Sequence, residues 1–75
     1  MLLTDHDLSA LSTALRQCEP LDLPRTFGEY KVRATVCPAS PAWSVAMLIR
    51  IEVWWPGWYM SKYCESVEEV LQFCP

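Results

Sequence analysis

The chain has 75 residues and a net charge of −3, and 52% of its residues are hydrophobic. A chain of this length forms one domain, expected to span residues 1–75, and such a small domain buries only about 60% of the surface that its unfolded chain exposes. Four tryptophans, three tyrosines and two phenylalanines exceed what one small core can hold, so we expect some of them on the surface, where contiguous apolar area marks a binding site for a partner.

No segment has the character of a targeting or membrane-spanning element. Met1, Leu2 and Leu3 are followed at once by the polar residues 4–7, so the chain lacks the basic start and the apolar stretch of a signal peptide. The most apolar run, residues 43–55, is too short to span a bilayer. We therefore expect a soluble, cytoplasmic protein with no membrane partner.

The first predicted element is a helix that begins after Thr4. The Thr4 hydroxyl can cap the helix, Asp7 can bond back to it as in a capping box, and Leu3 and Leu8 take the two positions of a hydrophobic staple. Apolar residues then recur at helical spacing and form one stripe that we expect to face the core. The stripe consists of Leu8, Leu11, Leu15 and Cys18.

Residues 19–28 are predicted to be a connector. Pro20 and Pro24 forbid continuation of the helix, and each biases the residue before it toward extended geometry. We expect three apolar side chains to hold this connector against the body of the domain: Leu21, Leu23 and Phe27.

Three strands are predicted after the connector. Alternation of side chains indicates the first over residues 30–37 and the longest over residues 43–55, and a third follows at residues 58–63. The longest strand supplies one continuous apolar face, which we expect to line the core. This face consists of Trp43, Val45, Met47, Ile49, Ile51, Val53 and Trp55.

Pro56 and Gly57 form the predicted turn between the last two strands. A two-residue turn places Trp58 and Met60 on the core face, whereas an odd number of turn residues would reverse the third strand. We expect the two-residue turn.

The last predicted element is a helix that starts at Ser66, which with Glu69 forms a second capping box. The element order is therefore α-β-β-β-α. The sequence predicts an α+β fold in which a three-stranded antiparallel meander carries the two helices packed on one face. The other face of the sheet remains uncovered.

The four cysteines are Cys18, Cys37, Cys64 and Cys74. None of them belongs to a C-x-x-C pair or has a histidine nearby, so the spacing of a zinc site is absent. An even number of cysteines in a short chain is compatible with two disulfides, but the expected compartment argues against them. Free, mostly buried thiols are the favoured interpretation, with disulfides and a metal site as the alternatives.

The sequence contains no catalytic constellation. His6 is the single histidine, and the first turn of a surface helix offers it neither an orienting partner nor a pocket. Glu68 and Glu69 are explained by the capping of the second helix. Because Gly28 and Gly57 are the only glycines, a glycine-rich phosphate loop cannot form. We expect a protein that is not an enzyme and that binds no cofactor.

The uncovered sheet face is the feature that points to function. It combines aromatic and cationic side chains, which are enriched at protein–protein interfaces. Lys31 belongs to this face, and Trp54 is the residue most expected to contact a partner. The predicted partner-binding residues are Trp54, Tyr59, Tyr63, Leu48, Arg50 and Arg33.

Two structural alternatives compete with a binding face. The first is an ordinary sheet surface that is partly exposed and binds nothing. In the second, the connector at residues 19–28 folds over Trp54 and Tyr59 and buries this cross-strand pair within the monomer.

The favoured function is a small interaction module that self-associates, as a two-fold dimer, through the aromatic-rich sheet face or the strand edge. Another protein partner is an alternative. Nucleic-acid binding is less favoured: a sheet with cations and aromatic rings suits single strands, but the chain is acidic overall. The element order resembles that of double-stranded-RNA-binding domains, yet Glu65, Glu68 and Glu69 stand where that family has a basic helix start. The likeness therefore carries no RNA-binding function to this chain.

Overall fold

The computed structural model describes residues 3–73, which form two helices and four strands. In chain order they are α1 (Asp5–Gln17), β1 (Leu21–Phe27), β2 (Tyr30–Pro38), β3 (Met47–Trp55), β4 (Trp58–Cys64) and α2 (Val67–Phe73). The predicted α+β class is confirmed. The predicted three-stranded order is wrong, because the chain folds as α-β-β-β-β-α with a four-stranded sheet.

The additional strand is β1, which occupies most of the predicted connector. It pairs antiparallel with β2, from Leu21 opposite Val36 to Phe27 opposite Tyr30. Pro24 excludes a helix here but does not exclude an edge strand, in which a proline is tolerated when the position of its missing N–H faces away from the neighbouring strand. The connector prediction is therefore wrong, because excluding a helix at the two prolines does not exclude a strand.

The sheet is a meander in the order β1-β2-β3-β4. Two-residue turns join β1 to β2 and β3 to β4, and Gly28 and Gly57 in these turns have φ values of 61° and 74°, which glycine adopts without steric cost. Trp58 and Met60 share a face with Val53, as predicted from the two-residue turn.

The strand predicted to start at residue 43 starts instead at Met47. Residues 39–46 form an irregular connection, in which the Ala39 N–H donates to the Ala46 carbonyl oxygen at 2.9 Å and the Trp43 N–H donates to the Ser40 carbonyl oxygen at 3.0 Å. The prediction that Trp43 and Val45 line the core is therefore wrong. The Trp43 side chain is exposed instead.

Both helices pack on one face of the sheet, here called the helix-side face. α1 contacts β1, β2 and β3, and α2 contacts β3, β4 and α1. The core lies between these layers, because Leu11 and Ala14 of α1 and Val70 of α2 join one buried cluster with Ile49 and Ile51 of β3. Neither helix within residues 3–73 is long and apolar enough to cross a membrane.

Asp7 ties the start of α1 to the sheet. The Asp7 N–H donates to Thr4 Oγ1 and the Thr4 N–H donates to Asp7 Oδ2, both at 3.1 Å, so the predicted capping box is confirmed. The buried Asp7 carboxylate also accepts hydrogen bonds from Arg25 of β1, at 2.8 and 3.2 Å. These bonds outweigh the effect of burial and lower the pKa of Asp7 below its ordinary value.

Candidate interaction surface

The sheet face opposite the helices, here called the open face, carries the predicted partner-binding residues. Strand alternation places Arg33 of β2, Arg50 and Trp54 of β3, and Tyr59 and Tyr63 of β4 on it. Trp54 lies opposite Tyr59, with ring centroids 5.3 Å apart. The cross-strand aromatic pair predicted from the sequence is therefore present.

The connector does not cover this pair. Residues 21–27 form β1 at the far edge of the sheet, with Leu21, Leu23 and Phe27 on the helix-side face. Trp54 is half-buried within the open face, and Tyr59 and Tyr63 are exposed by 48% and 47%. The structural alternative in which the connector buries the pair is wrong.

Leu48 is placed differently from the other predicted partner-binding residues. It lies opposite Cys37 on the open face, is only 2% exposed and does not belong to the main core cluster. The Trp43 ring in the connection at residues 39–46 reaches Tyr63, with a centroid distance of 6.4 Å. This connection therefore extends over the β3 start of the open face, and Leu48 is not accessible to a partner.

Carboxylates neutralise the arginines of the open face. Arg33 Nε and Nη2 donate to the two Asp22 oxygens at 2.8 and 2.9 Å, which raises the pKa of Arg33 and lowers that of Asp22. Arg50 Nη2 lies 3.4 Å from Glu52 Oε2, and the same oxygen accepts a 2.9 Å hydrogen bond from the Tyr59 hydroxyl. The face is thus less basic than its sequence suggested, since each arginine has an acidic neighbour.

A shallow cleft of about 540 Å³ lies at the turn end of the open face, beside β1. Its lining includes Pro24, Lys31, Arg33 and Trp54. The aromatic ring and the two cations are groups that could stack on a base and contact a phosphate. A second depression, of about 360 Å³, is lined by residues that include His6, Ser9 and Glu19 on and after α1.

The edge strand β4 is exposed along most of its length, whereas the sequence indicated a strand edge without specifying the strand. Six of its seven residues are exposed, and only Cys64 is buried. Half of the eight large hydrophobic residues that are exposed in the described chain belong to this one strand. They are Trp58, Tyr59, Met60 and Tyr63.

A second aromatic cluster lies on the helix-side face next to the two turns. Tyr30 and Trp55 have ring centroids 4.5 Å apart, and Trp55 and Trp58 have centroids 4.3 Å apart, both edge to face. Phe27, opposite Tyr30, is 75% exposed. The prediction that Trp55 and Trp58 belong to the core is therefore wrong, because alternation determines the face of a strand residue but not how far the helices extend over that face.

The cysteines among residues 3–73 belong to no cluster that could hold a metal ion. Cys64 is buried, as expected, but the expectation of mostly buried thiols is wrong for Cys18, which is exposed, and for Cys37, which is half-buried. Cys74 lies outside the described residues. No group of three or more histidine, cysteine or acidic residues between residues 3 and 73 is placed to hold a metal ion.

Comparison with models of known protein families found no match, and comparisons with curated proteins and with solved structures found none either. Function is therefore inferred from the side chains and the geometry of this chain alone.

Proposed function

We propose that this protein is a non-enzymatic interaction module that associates with itself as a two-fold dimer through the β4 edge of its sheet. The observation that carries the proposal is the composition of β4: a seven-residue edge strand with six exposed residues, four of them large and apolar. Long, apolar, unprotected edge strands pair readily with other strands, and natural proteins normally block them. An open edge of this kind is therefore best explained by a partner strand.

The backbone of β4 supports the same conclusion. Residues that flank a two-residue turn exchange backbone hydrogen bonds, and bonded and non-bonded pairs then alternate along the ladder. Trp55 and Trp58 flank the turn between β3 and β4. The alternation therefore directs the N–H and C=O groups of Tyr59, Ser61 and Tyr63 away from β3, where a strand of a second copy can bond them.

The side chains beside the edge add apolar area on both faces. Tyr59 and Tyr63 lie on the open face, and Met60 lies on the helix-side face. α2 is the helix that contacts β4, and its Leu71 is exposed by 47%. Stable dimers bury about 800 Å² per partner, and an edge strand together with the adjacent helix can contribute to an area of this order.

We place this dimer in the cytoplasm, because the exposed Cys18 and half-buried Cys37 thiols suit a reducing compartment. The proposed module needs neither a cofactor nor a metal.

Nucleic-acid binding is a second candidate, and the observation that favours it is the cleft with Lys31, Arg33 and Trp54. The bidentate bond between Arg33 and Asp22 weighs against it, since the guanidinium would have to exchange this carboxylate for a phosphate. This candidate predicts an affinity for single-stranded oligonucleotides that falls steeply with salt and is abolished by Arg33→Glu or Arg50→Glu. A flat titration at low salt would eliminate it.

Sedimentation velocity across the micromolar range tests the proposed self-association. We expect a species of twice the 8.6 kDa chain mass that dissociates on dilution. Binding of a dye for exposed apolar surface should rise as the dimer dissociates, because β4 becomes accessible. A chain that remains monomeric at every concentration would contradict the proposal.

A further inference from the structure

We infer that the two copies pair their β4 strands antiparallel about a two-fold axis at Ser61, so that Tyr59 of each copy lies opposite Tyr63 of the partner subunit. This inference rests on the proposed self-association and adds its register and contacts. It follows from three properties of β4: the faces on which its side chains lie, the length over which two copies overlap, and the position of its single charge.

The first property restricts the symmetry. An axis perpendicular to the sheet keeps both helix layers on one side, so that residues on the open face pair only with residues on the open face. On the helix-side face, the exposed Met60 of β4 then lies at the junction in both copies, and the α2 helices that contact β4 lie on the same side of it. A two-fold axis in the plane of the sheet would instead turn the second copy over, so that Tyr59 and Tyr63 would lie beside helix-side residues of the other copy. The Met60 side chains of the two copies would then lie on opposite sides of the joined sheet.

The second and third properties select the register. A two-fold axis at Ser61 pairs all seven residues of β4, beginning with Trp58 opposite Cys64 of the partner subunit. A centre at Met60 or at Lys62 leaves two residues at one end of each strand unpaired. A centre at Lys62 also sets two ammonium groups directly opposite each other, which destabilises a strand pair.

The Ser61 register joins aromatic pairs that are separate in the single chain. Trp54 already packs on Tyr59, at 5.3 Å, and Trp43 lies near Tyr63, at 6.4 Å. Setting Tyr59 opposite Tyr63 of the partner subunit connects these pairs into a row of four rings across the open face. Symmetry generates the row twice, and cross-strand aromatic pairs are among the stabilising contacts of antiparallel sheets.

The same register covers the apolar side chains on the helix-side face. Trp58 comes opposite Cys64 of the partner subunit, and α2 begins shortly after Cys64. The exposed Trp58 ring therefore meets the start of the partner's helix layer. Met60 comes opposite Lys62 of the partner subunit, whose aliphatic stem can cover it while the ammonium group stays in water.

Disulfide cross-linking at the symmetry axis tests this register. A residue on a two-fold axis faces its own copy, and the Cα atoms of opposed strand residues lie within the range that a disulfide can bridge. Met60→Cys, Ser61→Cys and Lys62→Cys are oxidised under identical conditions, and the linked positions are identified by peptide mass spectrometry, which separates them from the natural cysteines. We expect at least tenfold more symmetric cross-link for Ser61→Cys than for the two neighbours.

A mixture of Tyr59→Cys and Tyr63→Cys chains gives a second, independent readout. The register predicts a cross-link between positions 59 and 63 in the mixture and little in either variant alone. Symmetric cross-linking of Met60→Cys or Lys62→Cys in place of Ser61→Cys would overturn the register while leaving self-association intact. A chain that sediments as a dimer yet cross-links in none of these variants would also overturn it, whereas a monomer in sedimentation would overturn the proposed function itself.

Discussion

The two edge strands of the sheet have equal lengths, but only one of the two edges is protected against pairing with another strand. β1 and β4 each have seven residues. Pro24 of β1 and Ser61 of β4 occupy the two ends of one cross-strand row that also contains Arg33 and Glu52. The alternation of hydrogen-bonded pairs along the ladder directs the backbone groups of Pro24 and Ser61 away from the sheet. Proline has no backbone N–H, so the β1 edge lacks a donor at this position, whereas Ser61 keeps its N–H at the β4 edge.

The side chains of the two edges differ in the same sense. β1 has Asp22 and Arg25 in ion pairs with Arg33 and with Asp7 of α1. β4 has a single charged residue, Lys62, among exposed aromatic side chains. Proline and charge are two means by which sheets prevent edge pairing. This fold therefore blocks one edge and leaves the other available, an asymmetry that a general tendency to aggregate would not require.

The largest expected effect is on the interior that both edges share. Ile51→Ala removes a fully buried side chain from β3 and should lower the free energy of unfolding by about 2–5 kcal/mol. Chemical denaturation, carried out at a concentration where the chain is monomeric, measures the change. Lys62→Ala is the matched control, because Lys62 lies opposite Ile51 but is exposed and should change stability little. Equal losses of stability in both variants would contradict the placement of Ile51 in the core and of Lys62 at the surface.

Opening the protected edge should change the assembly. Pro24→Thr returns an outward N–H to β1, so that both edges of the sheet can accept a strand. We expect species larger than a dimer in sedimentation, with no loss of monomer stability, since threonine suits an edge strand. If the variant stays strictly dimeric, the ion pairs of β1 are sufficient to protect this edge without the proline.

Substitution of Trp54 tests whether aromatic residues next to β4 contribute more to dimerisation than aromatic residues on β1. Trp54→Ser removes one ring from each proposed four-ring row and should weaken dimerisation by about tenfold, or about 1.4 kcal/mol, while the monomer keeps most of its stability. Phe27→Ser is the control, because Phe27 is more exposed but lies on β1. Comparable weakening by both substitutions would remove the distinction between the edges.

The smallest effect concerns the anchoring of β1. Arg25 lowers the pKa of Asp7 from its ordinary value of 3.8, so the carboxylate contributes stability that is fully present above that value and lost as pH falls through the lower, folded-state pKa. Asp7→Asn should therefore lower stability at neutral pH and flatten its decline in acid, as measured by denaturation between pH 7 and pH 2. Asp22→Asn should flatten the decline less, because Asp22 is exposed. An unchanged acid profile in Asp7→Asn would show that the ion pair does not anchor β1.

The parts of the fold that local signals determine could be predicted. The box of Thr4 and Asp7 marks the start of α1, and alternation with a two-residue turn places Tyr59 opposite Trp54. Residues 21–27 also alternate, but Pro24 concealed the strand, because the sequence does not show whether a strand lies at an edge. The sequence also does not show that Leu48 is covered or that Trp55 is exposed, because both depend on how far other segments extend over the sheet.

The candidate site was only partly predictable for the same reason. Aromatic composition indicated a surface of this kind, and Tyr59 and Tyr63 were identified from alternation. The acidic partners of Arg33 and Arg50 were not anticipated, although Glu52 lies two residues from Arg50. Asp22 came from the unrecognised strand, so its bond to Arg33 could not have been inferred.

The most direct test introduces a proline, the residue that protects the β1 edge at position 24, at the equivalent position of β4. Ser61→Pro removes an outward N–H without removing a bond to β3, and Thr26→Pro makes the same change at an outward position of β1. Sedimentation of both variants beside the natural chain, with far-ultraviolet circular dichroism to verify folding, decides the matter. Pairing through the β4 edge predicts a folded monomer for Ser61→Pro and a dimer like the natural one for Thr26→Pro. A folded Ser61→Pro chain that dimerises as tightly as the natural protein would contradict it.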